Sequence, residues 1–327
     1  MRHGYGLTPA LVAELEDERA DLIVTVDNGV SAFAGIEAAR ALGIEVLVTD
    51  HHLPAASLPD CAAHVNPNLP GAQFGSRALA GVGVAFYLMA SLTRELEKRR
   101  EKRLPSVADL LDLVALGTIA DLVPLDRNNR ILVQEGLRRM RARAATTGFM
   151  ALARVAGCRL GDLSARQLGY QIAPPLNAAG RIDDMAVGIR CLLTDDPGEA
   201  LTLAGELDRL NGERREMEGR MREEALAAVR NLRISEGELP PGLTLFDGGW
   251  HAGIVGLVAS RMKDRLQRPV VAFAPASEDE LRGSARSVAG LHVRDVLEAV
   301  SSRHPGLIDR FGGHAMAAGL TLRRSYL

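Results

Sequence analysis

Apolar residues in the first fifty positions alternate between short continuous runs and a helical spacing. The runs over 21–27 and 44–50 are typical of buried strands, whereas the apolar positions of 31–43 recur at helical intervals and end at a glycine. This order predicts a strand, a helix and a second strand that join by a right-handed crossover into a parallel sheet. Because ligands gather beyond the carboxyl ends of parallel strands, we expect Asp27 and Asp50 to face one crevice.

The next part of the chain is predicted to be mainly helical. A turn over 66–71 precedes this part, and residues 174–185, which combine prolines, an amide, an arginine and acids, are interpreted as a loop. One of the helices is rich in small residues, should break near Gly117, and should carry Asp121 into apolar surroundings. The helices are predicted over 81–99, 106–125, 128–143 and 148–156.

Residues 196–234 are interpreted as a connector helix and linker, because their charged sequence has a narrow apolar stripe with steps of three, four or seven residues. The pattern of residues 235–327 predicts a second, smaller α/β domain, in which a glycine-rich segment leads into a helix. The predicted fold class is therefore α/β: a parallel-sheet domain over 1–195, the long helix, and the smaller domain.

Composition narrows the function classes. The chain has 327 residues, enough for two domains, and its 4% aromatic content fits a soluble α/β protein better than a β-sandwich. The net charge of −2, with both signs well mixed, provides no broad basic surface for duplex DNA, so a polyanion would have to bind in a local cleft.

Three well-separated cysteines without CxxC spacing indicate neither a disulfide framework nor a zinc site. The sequence also has no apolar segment of signal-peptide or membrane-span length. We therefore expect a cytoplasmic protein that does not enter a membrane.

Three polar residues at predicted strand or helix ends suggest a metal site. Asp27, His51 and Asp121 offer the carboxylate and imidazole ligands that Mn²⁺ or Mg²⁺ would accept. Taken singly, Asp27 could form an Asx-turn, Asp121 could cap a helix, and His51 could be a surface imidazole. Their joint occurrence in one predicted domain favours the metal site.

Five ordered motifs relate the sequence to a known superfamily. In chain order they are VDNG, TDHH, ALGTIADLVPL, LNAAGRIDDM and GGHAMAAG. Together they closely resemble the DHH phosphoesterase superfamily with a C-terminal DHHA1 domain, and within it the bacterial 5′→3′ exonucleases specific for single-stranded DNA. The resemblance extends over essentially the whole chain. It implies a hydrolase of the exodeoxyribonuclease class that acts in DNA recombination and repair.

The resemblance also assigns roles to residues. It implies a centre with two Mn²⁺ or Mg²⁺ ions in which Asp27 bridges the ions, and His51 and Asp121 are ligands of one of them. Asp50 is implied to be an orienting or secondary ligand in the shell behind His51. His52 is implied to lie near the scissile phosphate and to stabilise charge or assist proton transfer. The implied reaction is phosphodiester hydrolysis that releases a 5′-mononucleotide.

Single-stranded DNA is the implied partner, together with other repair proteins, and we expect a monomer. An arginine suits the task of holding DNA because its fork matches phosphate oxygens. The residues that the resemblance assigns to strand binding are Asn177, Arg181, Arg286, Gly312, Gly313 and His314.

The chain differs from the superfamily pattern at both ends. A D-x-D-x-D-G-like first motif is not found before Asp27, and an OB-type domain is not found at the C-terminal end. We therefore expect a piece of a longer enzyme. Two other functions stay open: a phosphoesterase that cleaves short oligonucleotides or small nucleotides, and a nucleic-acid-binding fragment impaired in catalysis because the first metal motif is missing.

Overall fold

The structure, a computed structural model, describes residues 6–15, 18–100, 103–231 and 240–326. These residues divide into two compact units, Met1–Arg209 and Leu210–Leu327. The dividing point lies inside a long helix, so the predicted domain limit at 195 stays a prediction. The predicted limit at 234 falls outside the described residues.

The first unit starts with a helix and a three-stranded sheet and continues as a helical assembly. A single wider turn of π-helix, Leu168–Ile172, leads into one of its helices. Its elements are α1 (Pro9–Glu14), β1 (Leu22–Val26), α2 (Phe33–Ala41), β2 (Glu45–Thr49), β3 (Ala63–Val65), α3 (Gly81–Arg100), α4 (Leu111–Ala120), α5 (Arg127–Arg141), α6 (Thr147–Val155), α7 (Ala165–Gln167), α8 (Ala173–Ile182), α9 (Ala186–Leu193) and α10 (Pro197–Asn231), the last of which continues into the second unit.

The sheet of the first unit has the order β1-β2-β3, and both strand pairs are parallel. Central strand β2 buries Val46 and Val48 against Ile36 of α2 and Val12 of α1. This packing explains the apolar run seen in the sequence, and the predicted strand-helix-strand unit is confirmed. All three strands end at one edge of the sheet, where the polar residues that follow them collect.

Two sequence predictions are wrong in this unit. Helix α4 does not break at Gly117, because that glycine lets α3 approach: a Cβ there would lie 2.8 Å from Cγ1 of Val82. Residues 174–185 are not a loop, since most of them form α8. Pro174 and Pro175 are compatible with α8 because they occupy its first turn, where backbone N–H groups have no helical partner.

The second unit contains a five-stranded sheet of order β4-β5-β6-β8-β7, in which β4 and β5 are parallel and the other pairs are antiparallel. Its apolar core forms between the sheet and α12, and includes Phe273, Leu281, Leu297 and Leu320. The elements are β4 (Leu243–Phe246), α11 (Val255–Leu266), β5 (Val270–Pro275), β6 (Glu280–Arg286), α12 (Val293–Arg303), β7 (Arg310–Gly313) and β8 (Ala317–Arg323).

The long helix α10 is the element that the sequence predicted as a connector. Within the described part of the chain, no helix is both long enough and apolar enough to cross a bilayer.

Candidate metal centre

The first polar group of the site follows β1, where the chain turns sharply. Asp27 has a left-handed backbone with φ of 66°, an unusual conformation for a residue other than glycine. Thr25 fixes the turn by donating from its hydroxyl to the Asn28 carbonyl at 2.7 Å. Gly29 follows with φ of 114°, and a Cβ there would lie 2.6 Å from Oγ1 of Thr25. The strained turn therefore holds Asp27 in one position at the sheet edge.

The second polar group follows β2 and begins with a buried carboxylate. Asp50 is 1% exposed, and its Oδ1 accepts from the backbone N–H of His51 at 2.7 Å and from that of His52 at 3.1 Å. The same oxygen lies 2.7 Å from Nδ1 of His52, while Oδ2 accepts from the Val30 N–H at 2.9 Å. Both carboxylate oxygens are thus engaged within the fold.

This arrangement corrects the predicted role of Asp50. Its side chain orients the imidazole of His52, and its hydrogen bond with His51 is with the backbone N–H of that residue. Nδ1 of His52 donates to the carboxylate, so the neutral ring carries its lone pair on Nε2. Asp50 is therefore a positioning residue.

The third polar group follows β3 and was not expected from the sequence. Asn66 donates from Nδ2 to the His52 carbonyl at 2.9 Å, and Asn68 donates to the His51 carbonyl at 2.6 Å. Oδ1 of Asn66 also accepts from the Asn68 N–H at 2.8 Å. The two amides hold the backbone of both histidines. Like Asp27 and Asp50, they follow the carboxyl end of a parallel strand. The sequence did not predict them, because β3 has only three residues and shows no strand pattern.

The fourth group lies at the C-terminal end of α4, where Asp121 is the capping residue. The chain leaves the helix immediately, because Leu122 takes a left-handed conformation with φ of 60°. The side chain of Asp121 is 36% exposed, and its Oδ2 lies 3.5 Å from Nε2 of His51. The helix end thus brings this acid to the sheet edge.

Four side chains converge at this edge. Nε2 of His51 lies 2.9 Å from Oδ1 of Asp27, and the rings of His51 and His52 are 4.5 Å apart between centroids. One ligand atom from each of Asp27, His51 and His52 can be chosen so that all three atoms lie within 4.8 Å of one another. The predicted ligand Asp121 is not part of this set and approaches it through its contact with His51. A set of carboxylate oxygens and imidazole nitrogens matches the ligand preference of Mn²⁺, and Mg²⁺ can also bind to the carboxylates. The residues present therefore fit a divalent cation.

The surroundings of both histidines and of Asp121 raise the pKa of each of these groups. The hydrogen bond with Asp27 raises the pKa of His51, against the opposing effect of burial, and the charge of Asp121 raises it further. The hydrogen bond with Asp50 likewise raises the pKa of His52. Burial raises the pKa of Asp121, which the positive charge of a protonated His51 partly offsets. A cation would thus replace a proton that His51 shares between two acids.

Helix α3 starts directly against Asp27, and its first residue leaves no space for a side chain. A Cβ on Gly81 would lie 2.5 Å from Oδ1 and 2.7 Å from Cγ of Asp27. Those atoms belong to the backbone-strained residue itself, so they cannot rotate away without moving the carboxylate. Gly81 is therefore a positioning residue for the centre.

We expect Gly81→Ala to weaken Mn²⁺ binding by about 10- to 100-fold, the usual cost of disturbing the support of a metal ligand. Isothermal titration calorimetry would measure the affinity. Gly83→Ala is the matched control in the same helix, because its new methyl group would meet the side chain of Leu79, with Cδ2 at 3.0 Å, and not a residue of the site. Equal affinities for the two variants would show that Gly81 does not position Asp27.

The residues predicted to bind a DNA strand lie elsewhere. Asn177 and Arg181 are exposed on α8, and their spacing of four places them on one face of that helix. They stay predictions for strand binding, on a helix instead of the expected loop.

The other predicted strand-binding residues belong to the second unit. Arg286 ends β6 opposite Ala317 of β8, whose carbonyl accepts from the His314 N–H at 2.8 Å. Gly312 and Gly313 end β7 and are exposed, so the β7-β8 turn places them with His314 near Arg286.

Arg286 is itself well ordered by neighbours. Its Nη1 donates to Oγ of Ser284 and to the Ala285 carbonyl, each at 2.8 Å. A Cβ on Gly256, in the first turn of α11, would lie 2.8 Å from Nη2. The guanidinium therefore lies beside the start of a helix, a suitable environment for an anion.

Comparison with known proteins places both units in described families. The DHH family, N-terminal domain, matches residues 3–118, and the DHHA1 domain matches residues 240–325. The single-stranded-DNA-specific exonuclease RecJ of Escherichia coli (strain K12) is 53% identical over 324 residues, which are 98% of this chain and 56% of that protein. The chain thus spans about half the length of such relatives.

Solved structures show the same similarity in three dimensions. A crystal structure of exonuclease RecJ bound to manganese has a TM-score of 0.80 and 35% identity, and the match covers 98% of this chain and 76% of the other. RecJ from Thermus thermophilus in complex with Mn²⁺ has a TM-score of 0.81 and 34% identity, with coverage of 97% and 44%.

Proposed function

The chain belongs to the DHH family and carries a DHHA1 domain, and from that premise we propose that it acts in a metal-dependent 5′→3′ exonuclease specific for single-stranded DNA. The contacts of Nε2 of His51 with the carboxylates of Asp27, at 2.9 Å, and of Asp121, at 3.5 Å, carry this proposal. The relatives named for that activity, and the RecJ structures that contain Mn²⁺, support it.

In this proposal Asp27, His51 and Asp121 would hold the cation, which is Mn²⁺ or Mg²⁺. When bound, such an ion supplies Lewis-acid stabilisation of negative charge on the phosphoryl oxygens. His52 has a different task because Asp50 raises its pKa and fixes its ring. In the protonated ring, which the hydrogen bond with Asp50 favours, Nε2 would donate a proton or a hydrogen bond to a phosphate oxygen and so stabilise developing charge.

Strand binding is assigned to the exposed residues of α8 and of the β7-β8 turn. Asn177 and Arg181 would contact phosphates from one helix face, and Arg286 with His314 would contact the strand from the second unit. Gly312 and Gly313 would let the DNA backbone approach closely. The product would be a 5′-mononucleotide, and the chain would work as a monomer in the cytoplasm alongside other repair proteins.

A second candidate function is a phosphoesterase for short oligonucleotides, because the same metal site would cleave any accessible phosphodiester. A third is a nucleic-acid-binding fragment impaired in catalysis. The three functions differ in the length of DNA that is cleaved and in whether a nucleotide product is released.

A length series of 5′-phosphorylated DNA separates the candidates. We expect the 327-residue chain with Mn²⁺ to release mononucleotides from single strands of 20 or more nucleotides and to leave blunt duplex intact. Cleavage confined to di- to tetranucleotides would support the second function. Binding without release, at saturating Mn²⁺, would support the third.

A further inference from the structure

A cavity of about 410 Å³ lies beside the candidate metal centre in the first unit. Its walls come from the end of β3 and the segment that follows it, residues 64–74, from Leu79, and from the first two turns of α3. The volume falls in the usual range for small-ligand pockets, roughly 300–1,000 Å³. The metal, proton-transfer and strand-binding roles proposed above do not involve the residues of this cavity.

The lining of the cavity is apolar and aromatic. Phe74 and Tyr87 meet edge to face with ring centroids 4.9 Å apart, and Phe74 is 40% exposed. Leu69, Pro67 and Pro70 complete most of the wall. Of the described residues that line the cavity, none is an acid, a lysine or an arginine, and Nε2 of its histidine, His64, lies 2.9 Å from the Pro59 carbonyl. A phosphate would therefore lose hydration there with little charge to compensate. The chemistry suits a neutral, flat, aromatic group.

One residue of the cavity wall forms a hydrogen bond with the backbone of His52. Asn66 lines the cavity, is 6% exposed, and donates to the His52 carbonyl. Asn68, two positions later in the same segment, donates to the His51 carbonyl. A group bound in the cavity would therefore lie next to the segment that holds both histidines in place.

We propose that this cavity binds the nucleobase of the nucleotide whose phosphodiester is cleaved, a proposal that rests on the function proposed above. A base can enter only after it has left its stack and its pairing partner. The base of a nucleotide in duplex DNA cannot enter the cavity while it is stacked and paired. The cavity therefore contributes to the selection of single strands. Stacking on Phe74 would accept every base, because each has a π-face.

The first test measures binding of free 2′-deoxyadenosine, which contains the base and no phosphate. We expect saturable binding to the 327-residue chain by saturation-transfer-difference NMR. Ala72→Trp fills the cavity from a lining position, and should weaken binding by about tenfold or more, as loss of a base–aromatic contact does. Phe74→Ala, which adds no bulk, should weaken it similarly.

The matched control is Ala56→Trp, at an exposed position that does not line the cavity. It should bind 2′-deoxyadenosine like the unmodified chain, and so should Asp27→Asn. Absence of binding to the unmodified chain, or equal binding by Ala72→Trp and Ala56→Trp, would overturn the proposal.

The second test asks whether the pocket serves catalysis. On 5′-phosphorylated single strands, Ala72→Trp should raise KM about tenfold. On strands whose 5′-terminal nucleotide is abasic, the same variant should match the unmodified chain. Equal effects on both strands would contradict the nucleobase assignment. If the chain cleaves neither strand yet binds 2′-deoxyadenosine through Phe74 and Ala72, the proposed nuclease function fails while the nucleobase pocket stands.

Discussion

Replacing Asp27 by asparagine is expected to reduce hydrolysis of single-stranded DNA by about 1,000-fold, equivalent to roughly 4 kcal/mol of transition-state stabilisation. Oδ1 of Asp27 lies 2.9 Å from Nε2 of His51, closer than the 3.5 Å between that nitrogen and Asp121. Asparagine keeps the size of the side chain and tolerates the left-handed backbone of this position. The variant thus removes the charge while it preserves the turn.

Steady-state release of mononucleotides at saturating Mn²⁺ would measure this loss, with calorimetry of Mn²⁺ binding beside it. Asp60→Asn is the control, because that acid is exposed and forms only a surface ion pair with Arg40. Both variants should have the melting temperature of the unmodified chain to within a few degrees. Normal turnover by Asp27→Asn would remove this residue from the metal site and would undermine the proposed function.

The elements that carry the site could be predicted because their patterns are strong and local. The apolar runs that became β1 and β2 are bounded by turn residues, and the polar groups behind them are found together at the carboxyl edge, as parallel topology requires. The convergence of Asp121 on His51 depends on tertiary packing, and resemblance to a known superfamily supplied what periodicity did not.

Features that depend on close packing between distant residues could not be predicted. Gly117 was expected to break a helix, but its role is to let α3 approach α4. Gly81 gave no signal, since its importance comes from the Asp27 carboxylate that lies against it. The short strand β3 hid Asn66 and Asn68. Proline and polar residues over 174–185 suggested a loop, although proline is compatible with the first turn of α8.

Replacing Asp50 by asparagine is expected to lower the free energy of unfolding by about 3 kcal/mol at neutral pH. The carboxylate is 1% exposed and accepts three hydrogen bonds on Oδ1 and one on Oδ2. An amide nitrogen in either position would face a donor and leave a buried N–H unpaired. His52 would also lose the partner that fixes its ring, so mononucleotide release should fall by about 10- to 100-fold.

The pH dependence of stability provides an independent test of Asp50. Burial alone would raise the pKa of this acid, but hydrogen bonds from the His52 side chain and from the Val30, His52 and His51 backbone lower it to about 2, against 3.8 for an ordinary aspartate. Because the folded-state pKa is the lower one, the stabilisation is complete above about pH 5 and is lost as the pH falls from about 4 to 2; it amounts to about 2 kcal/mol.

Urea unfolding of the unmodified chain, Asp50→Asn and Asp60→Asn between pH 7 and pH 3 would reveal that contribution. The unmodified chain and Asp60→Asn should lose stability more steeply below pH 4 than Asp50→Asn does, because only Asp50→Asn lacks the depressed carboxylate. If the three slopes are the same and Asp50→Asn is as stable as Asp60→Asn, the four hydrogen bonds do not hold the turn after β2. The orientation of His52 would then need another source, for which Asn66, bonded to the His52 carbonyl at 2.9 Å, is the next residue to replace.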